Sequence, residues 1–180
     1  MEFTRIGPEG LILVKPRIFN DDRGYFYESY NSELFKKAGI PHEFVQDNQS
    51  LSAKNVLRGL HFQKPPYSQG KLVRVLSGAV LDVAVDIRKS SPTFGQHIVV
   101  ELSAANKLML WIPPGFAHGF LSLEDQTIFL YKCTAPYHKE SESGIIWNDP
   151  ELGIDWNMTD PLVSGKDLEL PVFSKMDTGF

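Results

Sequence analysis

The sequence predicts an all-β fold, a jelly-roll β-barrel or sandwich with minor helices. Glycine (14 residues) and proline (12 residues) are spread along the 180 positions and divide the chain into short segments, which favours many strands over a few long helices. In residues 79–87 every second position from Leu81 onward carries a large apolar side chain, and the positions between them carry aspartate or alanine. This period of two is typical of a half-buried antiparallel strand.

Strand signals recur along most of the chain, whereas helix signal is confined to one place. The predicted strands cover residues 10–19, 24–30, 44–51, 56–62, 71–76, 79–87, 96–102, 107–112, 118–123 and 127–133. A helix is predicted over about residues 32–38, with Asn31 or Ser32 as its N-cap and Gly39 as its terminator. The tail from about residue 144 loses the periodicity, and we expect it to wrap the barrel of a single domain spanning residues 1–180.

Composition argues against several classes of protein. A hydrophobic fraction of 42% and a charged fraction of 22% are those of a globular chain. Eighteen basic against 22 acidic side chains give a net charge of -4, which disfavours a nonspecific nucleic-acid binder. No apolar run reaches the roughly 18 residues of a membrane span, and the first residues do not resemble a signal peptide. We therefore expect no membrane partner, no nucleic-acid partner and a cytoplasmic location.

Polar side chains occupy several predicted strands where a plain barrel would carry apolar ones. Any one of them could lie on a solvated face, but as a set they favour a pocket, because small β-barrels commonly hold a ligand in their mouth. These residues are Gln46, Asp47, Asn48, Gln49, Arg58, His61, Lys71, Arg74 and Tyr131.

The spacing of Arg58 and His61 does not fit the strict alternation of side chains along a strand. They are three residues apart, so strict alternation would send their side chains to opposite faces of a strand. A bulge at Gly59 would bring both inward, and so would a strand end at that point. The sequence leaves both explanations open.

Metal binding is disfavoured. The five histidines show no tight ligand spacing. Residues 113–118, PPGFAH, resemble the second half of the cupin motif, but the upstream H-x-H of metal-binding cupins is absent, because residues 60–63 read LHFQ. Three or four ligands are needed to hold a transition metal. The single cysteine, Cys133, excludes an internal disulfide and a cysteine-rich zinc site, and it is predicted to serve packing.

Longer strings resemble the dTDP-4-dehydrorhamnose 3,5-epimerase family, which supplies the third enzyme of dTDP-L-rhamnose biosynthesis. The resemblance implies a cupin-like jelly roll, a homodimer, a dTDP-sugar substrate and no requirement for a metal or other cofactor. The strings that carry it are DDRGYFYESYN, FVQDNQS, NVLRGLHFQ, QGKLVRVLSG, VAVDIRKSSPTFGQ, LWIPPGFAHGF, FLYKCT, WNDPELGIDW and SGKD.

The family pattern also implies roles for individual residues. His61 is the base that removes protons from the sugar, and Asp167 pairs with it. Tyr131 is the acid on the other face of the ring, and Lys71 lies near the C4 oxygen. Taken without the resemblance, Lys166 and Asp167 are exposed tail charges. The remaining implied substrate-binding residues are Arg23, Glu28, Gln46, Asp47, Asn48, Arg58, His118, Tyr137 (stacking on thymine), Glu142 and Lys166.

The implied reaction suits these residue types. The hydrogens at C3 and C5 of a 4-keto-6-deoxy sugar are both next to the ketone, so a base can remove either one and an acid can return a proton from the other face. Three alternatives remain open at this point. They are a 3-epimerase or ketoisomerase acting on a related dTDP-4-keto-6-deoxyhexose, a metal-dependent cupin enzyme, and a sugar-binding cupin module without activity.

Overall fold

The computed structural model describes residues 1–180, and it confirms the predicted all-β class. Fourteen strands and two short α-helices are present, with 3₁₀ turns at Lys139–Ser141 and Phe173–Lys175. The helices are α1 (Ser32–Lys37) and α2 (Gly165–Leu168). The strands are β1 (Glu2–Arg5), β2 (Ile12–Lys15), β3 (Phe19–Asp21), β4 (Gly24–Phe26), β5 (Gln46–Ser52), β6 (Val56–Gln63), β7 (Lys71–Ser77), β8 (Ala79–Asp86), β9 (His97–Ser103), β10 (Met109–Ile112), β11 (Phe116–Ser122), β12 (Thr127–Cys133), β13 (Glu142–Gly144) and β14 (Leu162–Val163).

Two six-stranded sheets make up the jelly roll. The first has the order β1-β2-β10-β7-β12-β5, and the second has the order β13-β6-β11-β8-β9 with β14 beside β6. All of these pairings are antiparallel except that of β14 with β6. Strands β3 and β4 form a separate hairpin. The inner faces of the two sheets enclose a core of buried side chains from both, including Val73, Leu110, Phe129, Val80 and Phe120.

The outer face of the second sheet carries a second core, which the tail covers. Apolar side chains of β6, β8 and β11 pack there against residues beyond Gly144. The tail contributes Ile145, Leu152, Trp156 and Phe173. Strand β8 is therefore buried on both faces, and the prediction that it is half-buried was wrong. Alternation reports that a strand has two chemically different faces, but it does not report that a distant segment covers one of them.

The outer face of the first sheet is covered by α1. Asn31 caps this helix, because its side-chain oxygen accepts hydrogen bonds from the backbone N–H groups of Glu33 and Leu34 at 3.1 and 3.2 Å. Phe35 of the helix is buried against Trp111 and its neighbours on the sheet. No helix in the chain has the length and apolar character needed to cross a membrane.

A β-bulge interrupts β6 at Gly59. His61 lies opposite His118 of β11, whereas Arg58 lies opposite Phe120, so β6 has one extra residue between the two pairs. Gly59 has φ +126°, and a Cβ atom there would lie 2.5 Å from the Cα atom of Gly119. Only glycine combines this backbone conformation with so close an approach of two strands. The bulge is one of the two explanations that the sequence left open for Arg58 and His61.

Candidate active site

A cavity with a volume of about 730 Å³ opens between the two sheets. Nine of the residues that the sequence singled out line it together: Asn48, Gln49, Arg58, His61, Lys71, His118, Tyr131, Lys166 and Asp167. Because Arg58 and His61 flank the bulge, both side chains reach the same cavity. The remaining wall is largely apolar and includes Phe120, Phe129 and Leu162.

His61 and Asp167 form a close imidazole–carboxylate pair. His61 Nε2 lies 2.7 Å from Asp167 Oδ1, and the Gly59 N–H donates to Asp167 Oδ2 at 3.2 Å. The aspartate side chain is 5% exposed and the imidazole is 31% exposed, so the aspartate lies behind the ring. Burial would raise the pKa of the Asp167 carboxyl, but hydrogen bonds from His61 and Gly59 outweigh it, and the pKa is lowered. An anion therefore stands behind an imidazole that faces the cavity.

Helix α2 places this aspartate. The Ser164 side chain caps the helix by accepting from the Asp167 N–H at 3.1 Å, and β14 immediately before it pairs with β6. Asp167 therefore reaches Gly59 and His61 of the same strand. The interpretation of Asp167 as an exposed tail charge is wrong, because this side chain is buried, whereas Lys166 is exposed as that interpretation expects.

Tyr131 and Lys71 lie on the opposite wall, which belongs to the first sheet. Tyr131 shares the inward face of β12 with Phe129, and Lys71 shares the inward face of β7 with Val73. The Lys71 ammonium lies 5.9 Å from the centre of the Tyr131 ring. Burial raises the pKa of the Tyr131 phenol, which therefore keeps its proton at neutral pH. Desolvation lowers the pKa of Lys71, although nearby acidic groups act in the opposite direction.

A second imidazole–carboxylate pair lies deeper in the barrel. His118 Nε2 is 2.9 Å from Asp82 Oδ2, and both residues are buried. Burial lowers the pKa of His118, although Asp82 acts in the opposite direction. This histidine is therefore neutral at pH 7. His118 and His61 are register partners on neighbouring strands, so their side chains lie on the same face of the sheet.

At the cavity mouth a hydrogen-bonded group joins Lys166 to three further predicted residues, Gln46, Tyr137 and Glu142. The Tyr137 hydroxyl donates to Glu142 Oε2 at 2.8 Å, and Lys166 Nζ donates to the same oxygen at 2.6 Å. The Tyr137 N–H donates to Gln46 Oε1 at 2.8 Å. Burial would raise the pKa of Glu142, but the hydrogen bonds from Lys166 and Tyr137 outweigh it, and the pKa is lowered. Tyr137 itself is 54% exposed, so its ring is open to a ligand.

Three predicted residues neither line the cavity nor belong to the hydrogen-bonded group at its mouth in this chain. Arg23 lies on the β3–β4 turn with its side chain 89% exposed and pairs with Asp21. Glu28 lines a separate, smaller cavity of about 290 Å³. Asp47 faces away from Asn48 on β5 and binds Lys132 Nζ through both carboxylate oxygens at 3.0 Å.

Sequence reasoning missed several residues of the site. Asp82 was recognised only as a member of one face of β8, although a carboxylate in the middle of an apolar strand was a signal that could have identified it. Leu162, Val163 and Ser164 also line the cavity, and no local pattern in the tail marks them. No group of three or more His, Cys, Asp and Glu side chains lies close enough to hold a metal ion. Cys133 is buried, as its predicted packing role requires.

The arrangement can move protons on a ring-sized substrate. A base backed by an anion stands on one wall, and a protonated phenol and an ammonium stand on the other. Such groups can remove a proton next to a carbonyl, stabilise the resulting oxyanion and return a proton from the opposite side.

Comparison with known proteins identifies relatives over nearly the whole chain. The family model for dTDP-4-dehydrorhamnose 3,5-epimerase matches residues 6–175. The chain is 55% identical over 172 residues to dTDP-4-dehydrorhamnose 3,5-epimerase of Escherichia coli strain K12, covering 94% of this chain and 93% of that one. It is 54% identical over 179 residues to the enzyme of the same name from Pseudomonas aeruginosa, with 98% of each chain covered.

A solved structure is also similar over nearly the whole chain. The crystal structure of dTDP-6-deoxy-D-glucose-3,5-epimerase from Legionella pneumophila Philadelphia 1, in complex with dTDP-4-keto-L-rhamnose, superposes with a TM-score of 0.94. The two chains are 48% identical, and the superposition covers 98% of this chain and 94% of that one.

Proposed function

The chain belongs to the dTDP-4-dehydrorhamnose 3,5-epimerase family, and we propose that the cavity between its sheets is where it inverts C3 and C5 of dTDP-4-dehydro-6-deoxy-D-glucose. The product is dTDP-4-dehydro-L-rhamnose, an intermediate of dTDP-L-rhamnose biosynthesis. The observation that carries the assignment of the site is the His61–Asp167 pair at 2.7 Å facing Tyr131 and Lys71 across one cavity.

His61 is the base in this proposal. Its Nε2 is held by Asp167, and its Nδ1 makes no hydrogen bond within the chain, so Nδ1 is the nitrogen free to take a proton from C3 or C5. Taking that proton makes the ring a cation. The anionic Asp167 behind it stabilises the cation, and it also fixes which nitrogen carries the proton beforehand.

Lys71 and Tyr131 complete the reaction from the other wall. As the proton leaves, negative charge develops on the C4 oxygen, and the Lys71 ammonium stabilises it. A preorganised donor in such a role typically contributes roughly 3–4 kcal/mol. Tyr131, whose pKa is raised by burial, returns a proton to the opposite face of the ring. The ketone already activates both centres, so the proposal requires no cofactor.

The nucleotide end of the substrate is assigned to the cavity mouth. Arg58 donates to Ser52 Oγ at 3.2 Å and to the Leu51 carbonyl at 3.3 Å, and its exposed guanidinium can bind the pyrophosphate through parallel hydrogen bonds. Tyr137 is the proposed platform for thymine. Base–aromatic stacking of this kind is typically worth about 1–3 kcal/mol.

We also propose that the chain works as a homodimer. Arg23 and Glu28 fit the family pattern but lie outside the cavity of their own chain, and the β3–β4 hairpin that carries Arg23 exposes three large aromatic side chains. These are Phe19, Tyr25 and Phe26, at 50%, 59% and 70% exposure. A second copy would cover this apolar surface and could receive Arg23 at its own cavity. The cytoplasmic location remains a prediction from the sequence.

Deuterium labelling tests the proposed reaction. In deuterium oxide each inversion should leave one deuteron on carbon, so the keto-sugar product, trapped by reduction at C4, should carry label at C3 and at C5. The variant Tyr131→Phe should lose net inversion more than it loses deuterium uptake, because His61 can still exchange protons. Label at C3 alone would assign a 3-epimerase. Unchanged, unlabelled substrate would assign a binding module, and activity lost on treatment with a chelator would revive a metal-dependent enzyme.

A further inference from the structure

Asp82 and Asp86 lie on the same face of β8 and are both fully buried, but they differ in the number of hydrogen bonds that their carboxylates accept. Asp86 accepts hydrogen bonds at both oxygens, from the side chains of Arg88, Ser91 and Thr93 at distances of 2.6–2.9 Å. Asp82 accepts one hydrogen bond at Oδ2 from His118, and its Oδ1 has no partner. Lys71 lies close enough to interact with its charge, and the rest of its environment is the apolar core between the sheets.

A half-satisfied carboxylate in an apolar core destabilises a fold. Asp86 joins the end of a strand to the loop after it, which is a structural role. Asp82 joins no strand to a loop, since its one hydrogen-bond partner is His118, which lines the cavity. This hydrogen bond connects Asp82 to the site.

The pair determines which nitrogen of His118 carries a proton. A carboxylate can only accept, so Nε2 must donate to Asp82. The ring is neutral because burial lowers the pKa of His118, and its only proton is then the one on Nε2. Nδ1 makes no hydrogen bond within the chain, and it keeps a lone pair that can accept one.

We propose that Asp82 is a positioning residue that holds His118 with Nδ1 as an acceptor for the C3 hydroxyl of the keto sugar, beside the C4 oxygen that Lys71 binds. Lys71 can only donate and His118 can then only accept, so together they match a ketone next to a hydroxyl. This inference rests on the proposed function and names the part of the substrate that the buried end of the cavity recognises.

The kinetic test compares two substrates in three variants. The substrates are dTDP-4-dehydro-6-deoxy-D-glucose and its analogue lacking the C3 hydroxyl, and the measurement is kcat/KM for deuterium uptake at C5, which both can undergo. The wild type should prefer the natural substrate by at least about tenfold, the value of one good hydrogen bond. In Asp82→Leu the preference should fall to within about twofold of unity. Asp82→Asn, whose carbonyl can still accept from Nε2, should keep part of it.

Asp86→Asn is the matched control, because it alters a buried carboxylate on the same face of the same strand. It should lower the melting temperature and leave the substrate preference unchanged. A wild type without preference, or Asp82→Leu with the wild-type preference, would overturn the inference. A wild type that takes up deuterium from neither substrate would overturn the proposed function itself.

A spectroscopic measurement on the wild type needs neither turnover nor a variant. Nitrogen-15 NMR of the imidazole side chains, with His118 assigned from His118→Asn, should show this ring as the neutral form protonated at Nε2. A ring protonated at Nδ1, or at both nitrogens at pH 7, would refute the positioning role of Asp82 even if the enzyme is fully active.

Discussion

Asp167→Asn should reduce epimerisation by about 10²–10³ while leaving the barrel folded. The variant keeps the shape of the side chain but removes the charge that, in the proposed mechanism, stabilises the His61 cation. With the two atoms 2.7 Å apart, the charge centres of a carboxylate and an imidazolium are about 4 Å apart, where the attraction is about 4 kcal/mol at an effective dielectric constant of about 20. That energy corresponds to nearly 10³ in rate. Water screens part of it, because the ring is 31% exposed.

The assay is the rate of deuterium uptake at C3 and C5 at saturating substrate. The affinity for dTDP should stay within about twofold of that of the wild type, because the nucleotide contacts lie elsewhere, and a thermal melt would verify that the barrel remains folded. A folded variant that retains more than a tenth of the wild-type rate would refute the assignment of Asp167 as the partner of the base.

Three further predictions concern binding and stability. Arg58→Ala should weaken dTDP binding by about tenfold and thymidine binding by less than about twofold, because the guanidinium is assigned to the pyrophosphate; calorimetric titration with both ligands would measure this, and equal losses would contradict it. Lys71→Met should abolish turnover yet raise the melting temperature at pH 7 by roughly 2–4 °C, which corresponds to about 1 kcal/mol in the free energy of unfolding. The reason is that desolvation disfavours the charged lysine and lowers its pKa. A lower melting temperature would show that the ammonium stabilises the fold. Burial also lowers the pKa of His97 and of His118, so below about pH 6.5 the unfolded chain binds protons that the folded chain does not, and stability should fall as the pH drops. Melting temperatures at pH 7.5 and 5.5 would measure that loss, His97→Asn should reduce it, and a constant melting temperature would contradict the reasoning.

The barrel strands were largely predictable because their signals are local. Glycine and proline break the chain close to the strand ends, and the run 127–133 coincides with β12. The missed strands are short: β1 has four residues, β13 has three, and β14 has two and exists only because β6 lies beside it. No propensity identifies a strand of that length without its partner.

The candidate site was less accessible to sequence reasoning than the fold. A pocket could be inferred from His61 and Tyr131, since polar residues in barrel strands require an explanation. Asp167 was indicated only by family resemblance, because its partner is 106 residues away and a local pattern cannot report such docking. Asp82 was missed for a similar reason. The tail covers the apolar face of β8, so both faces of this strand are buried. The face that carries Asp82, which the sequence suggested was solvated, is the face toward the barrel interior.

Because Asp167 lies in the tail, the protein can lose activity while its barrel stays folded. The proposed base, the proposed acid and Lys71 all lie on barrel strands, but Asp167 lies on a one-turn helix attached through a two-residue strand. Segments with so few contacts can detach at lower free energy than a whole domain. Transient release of this segment would move Asp167 away from His61 while the two sheets remain folded. On heating, reversible loss of activity should therefore occur at a lower temperature than unfolding of the barrel. A ligand that bridges Lys166 to the barrel should reduce the difference between the temperature of inactivation and the melting temperature.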